Sequence, residues 1–254
     1  MAPTALVLSS HVAASQVGGG AQAAALERMG IETILIPTVL FGRHPGLGPP
    51  GGGDVPQEML EGVIAGVEAS GALAGIDAMI AGYFASAAQV QAGARLIDAA
   101  RVARPDVWIV VDPIMGDEGT GLYVREDVAD AISRELVPRA DLIAPNAWEL
   151  ERLSGLAVRD AASALDAAKA VGRPALVSSI LVGDDIGVLL TCADGDFIAS
   201  HRRLATAPKG TGDLLTAGFV GAVVKGSGPL EALRASVSDT AALVGCGSAA
   251  VSEL

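Results

Sequence analysis

Short apolar runs alternate along the chain with longer, Ala-rich stretches of helical period. The runs are Ala5–Ser9, Ile31–Pro37, Ala78–Ala81, Val107–Val111, Asp141–Ala144 and Ala175–Ser179. Each is too short for a stable helix and reads as a buried strand. Between them Gly18–Met29, Gln57–Ser70, Ala85–Ala103, Glu126–Glu135 and Ala161–Val171 read as helices. Gly30 ends the first of these. Pro145-Asn146 opens another helix, in which Asn146 is a natural N-cap and Glu149 stands three residues on, as in a capping box. Gly187–Cys192 and Asp196–His201 predict a hairpin around Ala193-Asp194-Gly195. Two further helices are predicted, from about Gly212 to Lys225 and from about Pro229 to Val251. Val39–Pro56 is rich in Gly and Pro and predicts no regular element. Such a stretch suits a mobile flap over a site, or a passive surface loop.

Strands alternating with helices predict a three-layer α/β/α fold, with a mostly parallel central sheet and an antiparallel edge hairpin. No linker divides residues 1–254, so a single domain is expected. In such sheets ligands bind beyond the carboxyl ends of the strands. Ser10, Asp112, Asn146, Ser178 and Ser179 all fall at those ends.

Composition narrows the partners. Hydrophobic residues make up 51% of the 254, and aromatics only 3%, so the core is built mainly of Ala, Val, Leu and Ile. A net charge of −12 argues against nucleic acid and anionic membranes. A phosphate ligand must then be held by backbone amides, a metal ion and a few Lys or Arg. Cys192 and Cys246 lack ligand-type spacing and read as small buried apolar residues. The start of the chain lacks a signal-peptide pattern, and no apolar stretch reaches ~18 residues. A cytoplasmic protein is expected.

The chemistry concentrates in Lys209-Gly210-Thr211-Gly212-Asp213, followed by the apolar run Leu214–Val224. The glycines permit a tight turn, and the free N–H groups of the following helix make an anion site. Asp213 beside that site suggests a base next to an anion-stabilising turn, as phosphoryl transfer to an alcohol requires. Gly46-Leu47-Gly48-Pro49-Pro50-Gly51 matches a dinucleotide fingerprint in letters only, because two prolines remove the N–H groups it needs. No P-loop pattern occurs. Asp112 and Asp117, in Val111-Asp112-Pro113-Ile114-Met115-Gly116-Asp117, suit a hydrated Mg²⁺, although on their own they read more readily as a turn cap and a solvated carboxylate. Glu149 serves the capping box and is also placed to contact metal-bound water. Tyr83, after Gly82, reads as a ring-stacking residue or a half-buried core tyrosine. His11 is a candidate contact to a small ring or a plain loop residue, and Arg43-His44 lies in the expected flap, where Arg43 adds a cation at a point of entry for substrate or phosphate.

Taken together these stretches resemble the ribokinase-like superfamily and, within it, the pyridoxal kinases. The pieces stand in order: Ser10-His11-Val12, Thr38-Val39-Leu40-Phe41, Gly82-Tyr83, Asp112-Pro113-Ile114-Met115-Gly116-Asp117 with Gly121-Leu122-Tyr123-Val124, Pro145-Asn146 with Glu149-Leu150 and Leu153-Ser154-Gly155, and Gly210-Thr211-Gly212-Asp213. The resemblance covers nearly the whole chain. It implies that ATP donates its γ-phosphoryl group to the 5′-hydroxyl of pyridoxal, pyridoxine or pyridoxamine in vitamin B6 salvage. It implies Asp213 as base, with the Gly210, Thr211 and Gly212 amides stabilising the transferred group. Ser10, Thr38, His44 and Tyr83 match ring-binding positions. Asp112, Asn146, Glu149, Ser178 and Ser179 match the nucleotide region, and Asp117 with Glu149 the Mg²⁺ region; Lys209 is a further candidate on the nucleotide side, as an offset to phosphate charge or as a solvated loop lysine. Family members are usually homodimers and often need a monovalent cation, commonly K⁺.

The chain departs from the pattern at Leu40, where the family has Gln, and at Gly42-Arg43-His44. Lys209 replaces a usually apolar residue. Gly18-Gly19-Gly20-Ala21-Gln22-Ala23 is similar to the hydroxymethylpyrimidine kinases, although those carry Cys where this chain has Asp213. A kinase of that pyrimidine or another small alcohol is therefore the second reading. A non-catalytic vitamin-binding protein on a kinase scaffold is the third.

Overall fold

The computed structural model describes residues 2–204, 208–245 and 249–254. Cys246 lies outside them. The first strand, β1 (Thr4–Val12), carries side chains to both faces of a sheet: Leu6 and Leu8 enter one core, Ala5 and Val7 the other. That period of two is what a fully buried strand shows. After it come α1 (Gly18–Arg28), β2 (Glu32–Phe41), β3 (Gly52–Asp54), α2 (Gln57–Ala69), β4 (Ala78–Ala81), α3 (Ala87–Ala103) and β5 (Trp108–Val111). A two-residue ladder, β6 (Gly116–Asp117) with β7 (Gly121–Leu122), precedes α4 (Glu126–Ala131), which widens into a π-helical turn at Ile132–Leu136. The rest is β8 (Leu142–Ile143), α5 (Ala147–Ser154), α6 (Ala161–Val171), β9 (Ala175–Val182), β10 (Asp185–Cys192), β11 (Gly195–Arg202), α7 (Thr211–Val224), α8 (Pro229–Leu243) and β12 (Ala250–Glu253).

Ten strands form one sheet in the order β12-β11-β10-β9-β8-β5-β4-β1-β2-β3. The six from β9 to β2 run parallel, and antiparallel strands extend both edges. Residues from α1, α7 and α8 (Leu26, Phe219, Leu233, Val237) fill one face. Residues from α2 to α6 (Leu60, Leu96, Ile97, Leu150, Ala164) fill the other. The three-layer α/β/α fold expected from sequence is present, with the β10–β11 hairpin pairing Cys192 with Gly195 across a turn made by Ala193 and Asp194.

Two expectations are corrected. Val39–Pro56 is not irregular: β2 continues to Phe41, and β3 pairs back on it, Val39 with Asp54 and Phe41 with Gly52. The glycines that hid this strand are what permit it. Gly52 has φ +79°, and a Cβ there would collide with the Leu40 carbonyl. The last helix stops at Leu243 and does not reach Val251; β12 follows, pairing with β11 from Ala250 opposite Ser200 to Glu253 opposite Phe197. Among the described residues no helix is long and apolar enough to cross a membrane.

Candidate active site

The carboxyl ends of the parallel strands, with the loops that follow them, bring most of the candidate residues to one rim. The start of α7 is its centre. Gly210 is left-handed (φ +90°), and a Cβ there would collide with the Gln16 carbonyl, so the turn needs glycine. The helix begins at Thr211, and its first amides have no acceptor within the helix. Asp213 lies in that first turn. Its Oδ2 accepts the Gly18 N–H at 2.8 Å, which ties the start of α7 to the start of α1. Its Oδ1 is shielded from solvent and has no hydrogen-bond partner among the described residues. Burial pushes this carboxyl up to about 6, and the Gly18 N–H, which favours the ionised form, opposes that only in part.

Asp112 stands just beyond β5, buried, where Pro113 stops the strand. Its Oδ2 accepts Gln22 Nε2 at 3.1 Å. Burial, and then the charges of Asp213 and Glu149, hold its carboxyl well above the usual range, while hydrogen bonds from Thr216 and Gln22 oppose. Glu149 is buried one helical turn into α5. Its Oε1 accepts the Met115 and Gly116 amides (2.8 and 3.3 Å), and its Oε2 the Asn146 amide (2.9 Å). Burial raises it to about 8 against those three donors. Asn146 completes the capping box through Glu149 N (2.9 Å), and its Nδ2 donates to Gly116 O (2.9 Å). The spacing that suggested a cap therefore also clamps the loop bearing Asp117. Asp117 lies 3.6 Å from Lys209 Nζ, and with burial it raises the Tyr123 phenol, which hydrogen-bonds to it.

On the ring side, Thr38 Oγ1 donates to Tyr83 O (2.7 Å) and Tyr83 N donates to Ser9 Oγ (3.0 Å), so the backbone of Tyr83 is held from both directions. Thr38 is fully buried, and this bond engages its hydroxyl. Burial, and then the charge of Asp54, raise the Tyr83 phenol. Ser10 is buried at the end of β1. His44 sits at the tip of the β2–β3 hairpin, its amide on Ser15 Oγ (3.3 Å) and its Nδ1 accepting from Gly46 N (3.0 Å). Burial, and then the charge of Lys209, lower its imidazole. The hairpin tip therefore lies beside the Gly-Thr-Gly turn.

Ser178 bridges to Asn146, and its amide donates to Pro145 O (3.0 Å). Ser179 joins none of these contacts. It is exposed, at a bulge where β9 shifts register against β10, and its φ of +65° is the one left-handed non-glycine backbone among the described residues.

Two buried glutamines escaped the sequence reading. Gln22 continues the buried line of Gly18 and Leu26 on α1. Gln89 continues that of Gly93, Leu96 and Ala100 on α3, and its Nε2 donates to Thr38 O (3.0 Å) and Val55 O (2.9 Å) at the base of the hairpin. The signal in each case is an uncharged amide in an otherwise apolar helical stripe. No cluster of three or more His, Cys, Asp or Glu side chains able to hold a metal ion is found among the described residues.

The phosphomethylpyrimidine kinase family model matches residues 54–244. A pyridoxine/pyridoxal/pyridoxamine kinase of Bordetella avium is 35% identical over 237 residues, covering 90% of this chain and 80% of the relative. A pyridoxal kinase of Deinococcus radiodurans is 32% identical over 253 residues, covering 94% and 85%. Among solved structures, a pyridoxal kinase from Entamoeba histolytica superimposes with a TM-score of 0.90 at 28% identity, over 96% of this chain and 89% of the other. One from Leishmania donovani, in complex with ADP and pyridoxamine, gives 0.87 at 27% identity, over 95% and 86%.

Proposed function

This chain belongs to the phosphomethylpyrimidine kinase family of the ribokinase-like superfamily, among its pyridoxal kinases, and on that premise we propose how its residues divide the work. The enzyme is a phosphotransferase of vitamin B6 salvage that phosphorylates pyridoxal, pyridoxine and pyridoxamine, with ATP as the donor. The observation that carries the mechanism is the orphaned, water-shielded Oδ1 of Asp213 beside the free amides of α7. It is placed to accept the proton of the substrate 5′-hydroxyl as that oxygen attacks the γ-phosphorus. The amides of Gly210, Thr211 and Gly212 stabilise the charge that develops on the transferred group. Ser10, Thr38, Tyr83 and His44 hold the ring, Thr38 acting through its bond to Tyr83. Asp112, Asn146, Glu149, Ser178, Ser179 and Lys209 form the nucleotide side.

The donor set fits a hard divalent cation. Asp112 is held above its ordinary range partly by Asp213 and Glu149, so positive charge between these carboxylates relieves their repulsion. Asp117 and Glu149 would hold Mg²⁺, Glu149 through water because its oxygens already accept three amides. The ion would neutralise phosphate charge there. The working form is a single-domain, cytoplasmic homodimer, which light scattering after gel filtration tests.

A coupled assay with ATP, Mg²⁺ and K⁺ across pyridoxal, pyridoxine, pyridoxamine and hydroxymethylpyrimidine tests the substrate class. Turnover of the three B6 vitamers is expected. The family match and the Gly-Gly-Gly-Ala-Gln run make the pyrimidine the second candidate, and turnover with it alone would replace the substrate while keeping the kinase.

A further inference from the structure

The proposed site poses a charge problem. Asp112, Asp117, Glu149 and Asp213 surround the place where a phosphoryl group must pass, in a chain of net charge −12. The amides of α7 offset about half an elementary charge. The chain has three lysines. Lys169 pairs with Asp196, and Lys225 donates to the Met29 carbonyl, both away from this rim. Lys209 immediately precedes Gly210. Its Nζ is 3.6 Å from Asp117 Oδ2, and its side chain is 59% exposed, so the ammonium is loosely held. Its charge also reaches His44 at the hairpin tip. Lys209 thus stands between the nucleotide side and the ring side, four residues from the base, on a stem long enough to leave Asp117.

We propose that Lys209 is a catalytic residue that grips the phosphoryl group in transit, contacting the γ-phosphoryl before transfer and the 5′-phosphate of the product after it. The proposal rests on the kinase reading above. In the step, the bond from the γ-phosphorus to the β–γ bridging oxygen breaks and ADP leaves with the electron pair. A bond from the substrate hydroxyl oxygen to that phosphorus forms, and the hydroxyl proton passes to Asp213. Lys209 keeps its three protons and its charge throughout. Before nucleotide arrives, Asp117 stores that ammonium; afterwards the phosphoryl oxygens hold it.

The test is calorimetric binding to the parent, Lys209→Met and Lys209→Arg. The ligands are ADP, the imido-bridged ATP analogue, pyridoxine and pyridoxine 5′-phosphate, each with Mg²⁺. Alcohol forms are used because the aldehydes form imines with lysine. Lys209→Met should bind the ATP analogue and pyridoxine 5′-phosphate about tenfold more weakly, with ADP and pyridoxine within about twofold, since only the first two carry the phosphoryl in question. Lys209→Arg should stay within about threefold of the parent for all four. Unchanged binding of all four by Lys209→Met overturns the proposal. So does equal weakening of all four, or a loss in Lys209→Arg as large as in Lys209→Met, because shape and not charge would then be at issue. A failed kinase reading shows separately, as a parent enzyme without turnover of any vitamer.

Discussion

A carboxylate with one oxygen on a backbone N–H and the other cut off from both water and donors resists ionisation. Asp213 is such a group, and the role of base proposed for it requires that it ionise. Its folded value of about 6 lies above the ordinary 3.8. Below the ordinary value both folded and unfolded chains carry the proton, and nothing is lost. Above about 6 the fold bears the full penalty of the buried charge, about 3 kcal/mol for two units. Asp213→Asn, which keeps an acceptor for Gly18 N–H, should therefore melt at a higher temperature than the parent at pH 8. The gap should close as pH falls from about 6 to about 4. Turnover should drop by about 10²-fold or more in the same variant. In the parent, turnover should decline on the acid side with a midpoint near 6, read from initial rates at saturating substrates. A flat acid limb down to about pH 4.5 would remove Asp213 from the role of base.

At the scale of elements, one buried side-chain amide braces the base of the β2–β3 hairpin in addition to its strand pairing. Gln89 donates to Thr38 O and Val55 O and accepts the Ala85 N–H (2.9 Å), all from a buried position on α3. Gln89→Ala strips the Val55 carbonyl and the Ala85 N–H of this partner, while Thr38 O still accepts the Val55 N–H (2.9 Å), at a cost of about 1–3 kcal/mol for each stripped group where water cannot enter. Hydrogen exchange at Val39–Asp54 should accelerate at least tenfold, and the KM for the vitamin should rise more than kcat falls. Unchanged exchange there would mean that the strand pairing alone holds the hairpin. None of this was legible beforehand. The capping box of α5 and the Asp-Gly hairpin were legible because their partners lie within a few residues of each other. Gln22 with Asp112, Gln89 with Thr38 and Gly18 with Asp213 are 90, 51 and 195 residues apart, and such pairs leave no local period to read. Strand β3 was illegible for another reason. Its glycines, of which Gly52 is needed for close approach to the Leu40 carbonyl, are the residues that ordinarily signal a loop.

For the molecule as a whole, the sheet ends in edges. At the far end from the hairpin, β12 covers β11, and Leu254 N donates to Asp196 O (2.9 Å). Deleting residues 249–254 would leave β11, with Phe197 and Ile198, as an open edge. Such a chain should show a lower melting midpoint and growing particle size by light scattering, while an unchanged size would assign the protection of β11 to its own loops and not to β12. The alternating apolar runs made the parallel centre of the sheet readable. The outermost strands, β3 and β12, were not, because such short strands carry little apolar pattern of their own.

The bond between the Gly18 amide and Asp213 has a further consequence, for the time at which the enzyme comes alive. A ribosome adds roughly 5–20 residues each second. The 195 residues between the two partners are therefore spanned in roughly ten to forty seconds. Ser10 is made before that interval opens and Thr38 and Tyr83 early in it, while the group proposed to draw a proton from an alcohol appears only at its end. A chain abandoned anywhere before α7 lacks the base and its amide turn, so it has no means to spend nucleotide. The piece that would arm the site comes late in the chain, ahead only of α8 and β12 among the described elements.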